Sequence, residues 1–204
     1  MTTLFLIGPG RHFGLELVQR FRRERFKTGI VTHRSAFDGI VDAHQLADAA
    51  DAAALTAAIR NLANKLGPPT CLIYNARSPL SGDALSIDPA AFNEALAVNV
   101  TGALVAVQAA LPLMQQNATV ILTGGGYKDR PHPQKAPLSV GKAALHALAQ
   151  CLQPVLAERG ITLKTIVIDG HVRRDDPTAL DPLQLAELYW DVYAGRDGMT
   201  HHFP

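Results

Sequence analysis

One pattern limits the folds open to this chain more than any other. A short unbroken apolar run, a tight turn and an amphipathic helix follow one another along nearly its whole length. Residues 2–7, 30–32, 71–74, 119–122 and 162–168 are such runs, and a short one is expected near 43–46. Continuous rather than alternating apolarity is what a strand covered on both faces requires. Between the runs, Leu15, Val18 and Phe21 recur at helical spacing, with Glu16, Arg20, Arg22 and Arg23 among them. Residues 51–66 form an Ala-rich helix stopped by Gly67-Pro68-Pro69, and 90–114 read as two helices running together. Helices over 139–158, ended by Gly160, and 183–193 complete the series. Alternation about six times implies right-handed crossovers. The predicted fold is α/β, a single doubly wound parallel sheet of about six strands with helices on both faces. No repeat or linker interrupts it, so 1–204 is expected to be one domain, with 171–204 a short C-terminal helix and tail.

Composition excludes several classes. Lys plus Arg total 19 against 18 for Asp plus Glu, a net charge of +1, so no global field recruits nucleic acid or an anionic membrane. No consecutive apolar run approaches the roughly 18 residues of a spanning helix. The first ten residues carry no basic segment ahead of their apolar run, so no secretory signal is expected. Cys71 and Cys151 are too few for a disulfide framework; both are expected to be packed, in a reducing cytoplasm. His201 and His202 lack a third ligand, so a solvated tail is expected rather than a metal site.

Open parallel sheets bind ligands at the carboxyl ends of their strands, where the strand order reverses. The first run there feeds Gly8, Gly10 and Gly14 and then a helix. Such glycines let main chain approach a diphosphate at a helix N-terminus; an ordinary tight turn is the competing account. Four further segments bear on the choice: Tyr74-Asn75-Ala76-Arg77, Val98-Asn99-Val100-Thr101-Gly102, Ser139-Val140-Gly141-Lys142-Ala143-Ala144-Leu145 and Ile168-Asp169-Gly170-His171-Val172. In this order, with the glycine loop, they resemble the short-chain dehydrogenase/reductase family over about residues 3–172. The first is similar to that family's Asn-Asn-Ala-Gly segment, the next two to its segments with the catalytic asparagine and lysine, and the last to its Pro-Gly segment.

The resemblance implies a Rossmann-type domain that binds a dinucleotide and transfers hydride to or from a small carbonyl or alcohol. It also implies a homodimer through the helices at 97–114 and 138–158. Of the catalytic set, Asn99 and Lys142 remain, the latter expected to bind the nicotinamide ribose. The family's tyrosine, four residues before the lysine, is here Leu138, and its serine falls at Gly125. Thr123 is the nearest hydroxyl, and Tyr127 the nearest substitute acid. His12 occupies the place of the middle glycine, where it crowds a diphosphate, bonds one, or simply faces solvent. The second strand ends without an acidic residue, at His33-Arg34. Arg34 with Arg11 brackets the place of a 2′-phosphate, which favours NADP(H) over NAD(H); two ordinary surface charges are the competing account. Gln45 stands where the family carries an adenine-contacting Asp. Phe13, Leu46, Ala76, Asn75, Gly170 and Val172 complete the expected cofactor set. Three functions follow for testing: an NADP(H)-dependent oxidoreductase, a non-catalytic NADP(H)-binding sensor or subunit, and a cofactor-free interaction module.

Overall fold

The computed structural model describes residues 2–10, 13–33, 37 and 39–204. Its strands are β1 (Thr3–Ile7), β2 (Lys27–Thr32), β3 (Ala43–Leu46), β4 (Cys71–Tyr74), β5 (Thr119–Gly125), β6 (Thr162–Ile168) and β7 (Thr200–Phe203). They form one sheet in the order β3-β2-β1-β4-β5-β6-β7, with every neighbouring pair parallel. The helices are α1 (Gly14–Arg23), α2 (Ala52–Leu66), α3 (Pro89–Leu96), α4 (Gly102–Ala110), α5 (Ala136–Ala157) and α6 (Pro182–Tyr193).

The strand residues divide between two cores, which explains their continuous apolarity. Phe5, Ile7, Leu72, Tyr74, Val120 and Leu122 face α2, α4 and α5. Their neighbours Leu4, Leu6, Ile73 and Ile121 face α1 and α6. Each strand thus buries both sets of alternate side chains. The chain reverses direction across the sheet between β1 and β4, so the switch point opens beside Gly8.

Several expectations need correction. The sheet has seven strands, not about six, because Thr200–Phe203 pair along the outer edge of β6. An edge strand is covered on one side only, so its polar residues read as a tail. His201 is therefore buried, with a ring nitrogen 3.1 Å from the Gly198 carbonyl, whereas His202 is exposed. β2 begins at Lys27 rather than Ile30: buried Thr28 belongs to the strand because Asp42 accepts from both its N–H and its hydroxyl. Cys71 is buried as expected, but Cys151 is exposed on α5. Arg20, among the polar residues of α1, is held in place. It pairs with Glu24 and Glu187 and stacks over Trp190, 4.6 Å from the ring centre.

The helices expected over 90–114 are joined without a break. Residues Ala97–Thr101 between α3 and α4 form a π-helical turn. The resulting run, Pro89–Ala110, is 22 residues long with mean hydropathy 1.5, enough by length and composition to cross a membrane. No consecutive apolar stretch signals it, because Asn93, Glu94 and Asn99 interrupt the sequence. Here its α4 portion packs against α2 over the sheet.

Candidate functional site

The site is built where β1, β4 and β5 end. After β1 the chain turns through Gly8 and Gly10, both at positive φ (73° and 69°), which glycine adopts without strain. A Cβ on Gly8 would lie 2.4 Å from the Cα of Ala76, so only glycine lets the loop close against the end of β4. Asn75 locks that contact by donating its Nδ2 to the Gly8 carbonyl at 2.7 Å. Gly14 has Pro9 in the same relation, the carbonyl oxygen 2.3 Å from a notional Cβ. Phe13, buried against Tyr189 with ring centres 5.0 Å apart, starts α1 without a side-chain cap. The first-turn N–H groups of α1 thus point at the loop unclaimed by a capping side chain among the described residues. At Gly10 the nearest atom to an added Cβ among the described residues is Asn75 Nδ2 at 3.9 Å, so these residues leave room above the loop. Uncapped donors, the helix dipole and this clearance suit a diphosphate, and the residues present fit a dinucleotide.

Arg11, His12 and Arg34 lie outside the described residues. His33 is exposed, with Nδ1 3.8 Å from an oxygen of Asp48. Gln45 is already engaged, donating Nε2 to the His44 carbonyl at 2.7 Å and accepting from Asn61 Nδ2 at 3.2 Å. Leu46 beside it is exposed. At the far end of the groove, Gly170 and Val172 pack on and bridge to Leu180, which folds the segment after β6 back across the strand ends. Arg174 of that segment forms an ion pair with Glu16, a buried acid in the first turn of α1.

Asn99 and Lys142 are both buried where α5 meets the turn between α3 and α4, Asn99 against the residue preceding the lysine. Asn99 is buried in the π turn, and its Oδ1 accepts from the Ser78 N–H at 2.8 Å. Gly141 lets α5 press against it: an added Cβ there would lie 2.8 Å from that of Asn99. Tyr74 supports the same turn from below, donating its hydroxyl to the Val98 carbonyl at 2.5 Å. Burial raises the Tyr74 pKa, so this phenol stays a neutral donor. Neither the π turn nor this tie was read from the sequence. The only signal available was a tyrosine at position 74, where the resemblance has asparagine.

Lys142 is buried, and its Nζ donates to the Thr123 main-chain oxygen at 2.6 Å. Its side chain lies along Gly125, where an added Cβ would meet Cγ, Cδ and Cε at 3.3–3.4 Å. The lysine thus occupies the side on which a serine would stand. Burial, and secondly the charge of Arg77, pull its pKa from 10.5 to about 8. The Thr123 hydroxyl does not face the site. It shares a 2.6 Å hydrogen bond with the buried Tyr189 hydroxyl on the opposite face of the sheet. Tyr127 is half-buried beside His132, ring centres 6.4 Å apart. Ser139 Oγ is turned into the same loop, accepting from the His132 N–H at 3.1 Å. Asp169, at the end of β6, lies over Gly126 and pairs with Arg130.

Known proteins share this fold. A family model described as short chain dehydrogenase matches residues 2–172. A 3-oxoacyl-[acyl-carrier-protein] reductase, MabA, of Mycobacterium avium is 27% identical over 206 residues, 99% of this chain and 79% of its own length. A crystal structure of a dehydrogenase/reductase from Sinorhizobium meliloti superposes with a TM-score of 0.89 at 23% identity, covering 99% of this chain and 93% of that one. A blue fluorescent protein from a metagenomic library, in complex with NADPH, gives 0.87 at 19% identity, with 98% and 95% covered.

Proposed function

The chain belongs to the short-chain dehydrogenase family, and we propose that it is a divergent NADP(H)-dependent oxidoreductase of small carbonyls or alcohols. In this reading Lys142 handles the proton that a tyrosine handles elsewhere in the family. The observation that carries it is Lys142 itself: a buried amine beside the Asn99 cluster, lying along Gly125, with its pKa drawn down to about 8. When bound, the dinucleotide supplies the hydride. Lys142, as ammonium, gives a proton to the carbonyl oxygen as the alcohol forms and regains one from solvent. An acid with a pKa near the working pH is well matched to such a transfer. Asn99 holds the Ser78 main chain and thereby the rim of the cleft. The choice of NADP(H) rests on Arg11 and Arg34 in the sequence.

The same reading includes a homodimer. Val140, Ala143, Ala147, Cys151 and Val155 form an exposed, small-residue stripe along α5, with half-buried Leu104 and Val105 on α4 nearby. Isologous pairing of two copies would cover it.

The losses at Leu138 and Gly125 favour a second reading, a protein that binds NADP(H) without turnover. Calorimetric titration with NADPH and NADH separately, followed by carbonyl reduction across pH, tests both. The oxidoreductase reading expects NADPH to bind tighter than NADH, and reduction to fall as pH rises through about 8. Lys142→Met is expected to abolish that reduction. NADPH binding with no turnover, and turnover that emerges only in Gly125→Ser/Leu138→Tyr, establishes the second reading instead. A Cβ at Gly125 meets the Lys142 side chain at 3.3–3.4 Å, so that repair requires the flexible lysine to give by a few tenths of an ångström.

A further inference from the structure

Resting on the oxidoreductase reading, we propose that the cleft selects a substrate bearing a carboxylate or a similar oxyanion, and that Arg77 holds that group beside Lys142. Position 77 is where the resemblance places a glycine, so its side chain is an addition to the groove. The main chain on both sides of it is pinned. Asn75 is tied to the Gly8 carbonyl at 2.7 Å, and the Ser78 N–H to Asn99 at 2.8 Å. Arg77 therefore leaves the chain midway between the glycine loop and the Asn99–Lys142 cluster.

The arginines around this mouth differ in one respect. Arg130 is paired with Asp169 and Arg174 with Glu16. Arg77 is exposed and forms no ion pair among the described residues. Its charge acts on Lys142, whose Nζ has the neutral Thr123 carbonyl as its one partner among the described residues. Among the described residues neither cation has a carboxylate within ion-pair distance: Asp169 at the same mouth is held by Arg130, and Asp48, Asp51 and Glu94 line the neighbouring groove with Ser78. An oxyanion between Arg77 and Lys142 would relieve their repulsion, and the planar guanidinium can grip it through two N–H groups. The diphosphate of a dinucleotide has its own donors at the uncapped start of α1, which leaves Arg77 for the substrate.

Two measurements test this. The first follows amine labelling of Lys142 against pH by peptide mass spectrometry, without dinucleotide. Butyrate is expected to slow labelling near pH 8 several-fold, because an anion holds the ammonium form; its neutral counterpart butyramide should have no such effect. In Arg77→Gln the midpoint for Lys142 should rise, since a neighbouring positive charge is gone, and butyrate should no longer protect. The second compares reduction of acetoacetate and ethyl acetoacetate with NADPH. Arg77→Gln is expected to lower the acid-over-ester ratio of kcat/KM about tenfold, as loss of one charged hydrogen-bonding partner does. Absence of butyrate protection, or an unchanged acid-over-ester ratio, overturns the proposal. A rise in NADPH Kd with that ratio intact assigns Arg77 to the dinucleotide's phosphates and overturns it too. Should neither the acid nor the ester turn over, the oxidoreductase reading fails, and the labelling arm alone decides whether the oxyanion site exists.

Discussion

Lys142 offers the most direct quantitative test of the site, through stability rather than activity. Its pKa falls from 10.5 in an unfolded chain to about 8 in the folded protein. At about 1.4 kcal/mol per pH unit, keeping this amine charged costs the folded state about 3 kcal/mol. The sign follows from proton counting. Below pH 8 both states hold the proton and the full cost is present. Between pH 8 and 10.5 the folded protein has released it while the unfolded chain still binds it, so stability rises with pH. From pH 7 to pH 10 the gain attributable to Lys142 is between about 2 and 3 kcal/mol. Urea unfolding of the wild type and of Lys142→Met, without dinucleotide, measures it. Other groups titrate equally in both proteins and cancel. With an m-value of roughly 2 kcal/mol per molar, the wild-type midpoint should climb by about 1 M relative to the variant over that range. The variant also leaves the Thr123 carbonyl without its donor, but that loss is constant with pH. Parallel stability profiles for the two proteins would refute both the buried charge and the proton role built on it.

Two further substitutions probe the scaffold. Tyr74→Phe removes the hydroxyl that donates to the Val98 carbonyl. It should cost about 1–3 kcal/mol, read as a fall in Tm of roughly 2–4 °C per kcal/mol for a chain of this size. Gly14→Ala places a Cβ 2.3 Å from the Pro9 carbonyl oxygen, against main chain that cannot yield cheaply. The loop must distort, so the rise in Tm expected of the wild type on binding a dinucleotide should disappear in this variant.

Much of the fold was legible because both faces of a parallel strand must be covered, which writes itself as short apolar runs between amphipathic helices. The glycines were legible for a related reason. Gly8 and Gly14 mark places where one main chain meets another too closely for any side chain. The absence of hydroxyls at Leu138 and Gly125 needed only the sequence and the spacing from Lys142. β7 was not legible, since half-covered edge residues need not be apolar and its partner β6 lies far away in the chain. Nor was the π turn, where pairing depends on Tyr74 of β4 reaching Val98 from another element.

The sequence by itself determined the element order, the glycine loop and the presence of Asn99 and Lys142 with no hydroxyl at positions 125 and 138. Only the tertiary structure decided the surroundings in which those two residues act. Burial is a property of the assembled layers: the packing of α5 against β5 takes Lys142 out of water and makes it a weaker base. The same assembly turns the Thr123 hydroxyl away and brings the charge of Arg77 within electrostatic reach of Lys142. Composition counts charges, whereas the solvent and the partners that each charge loses or keeps are settled by the fold.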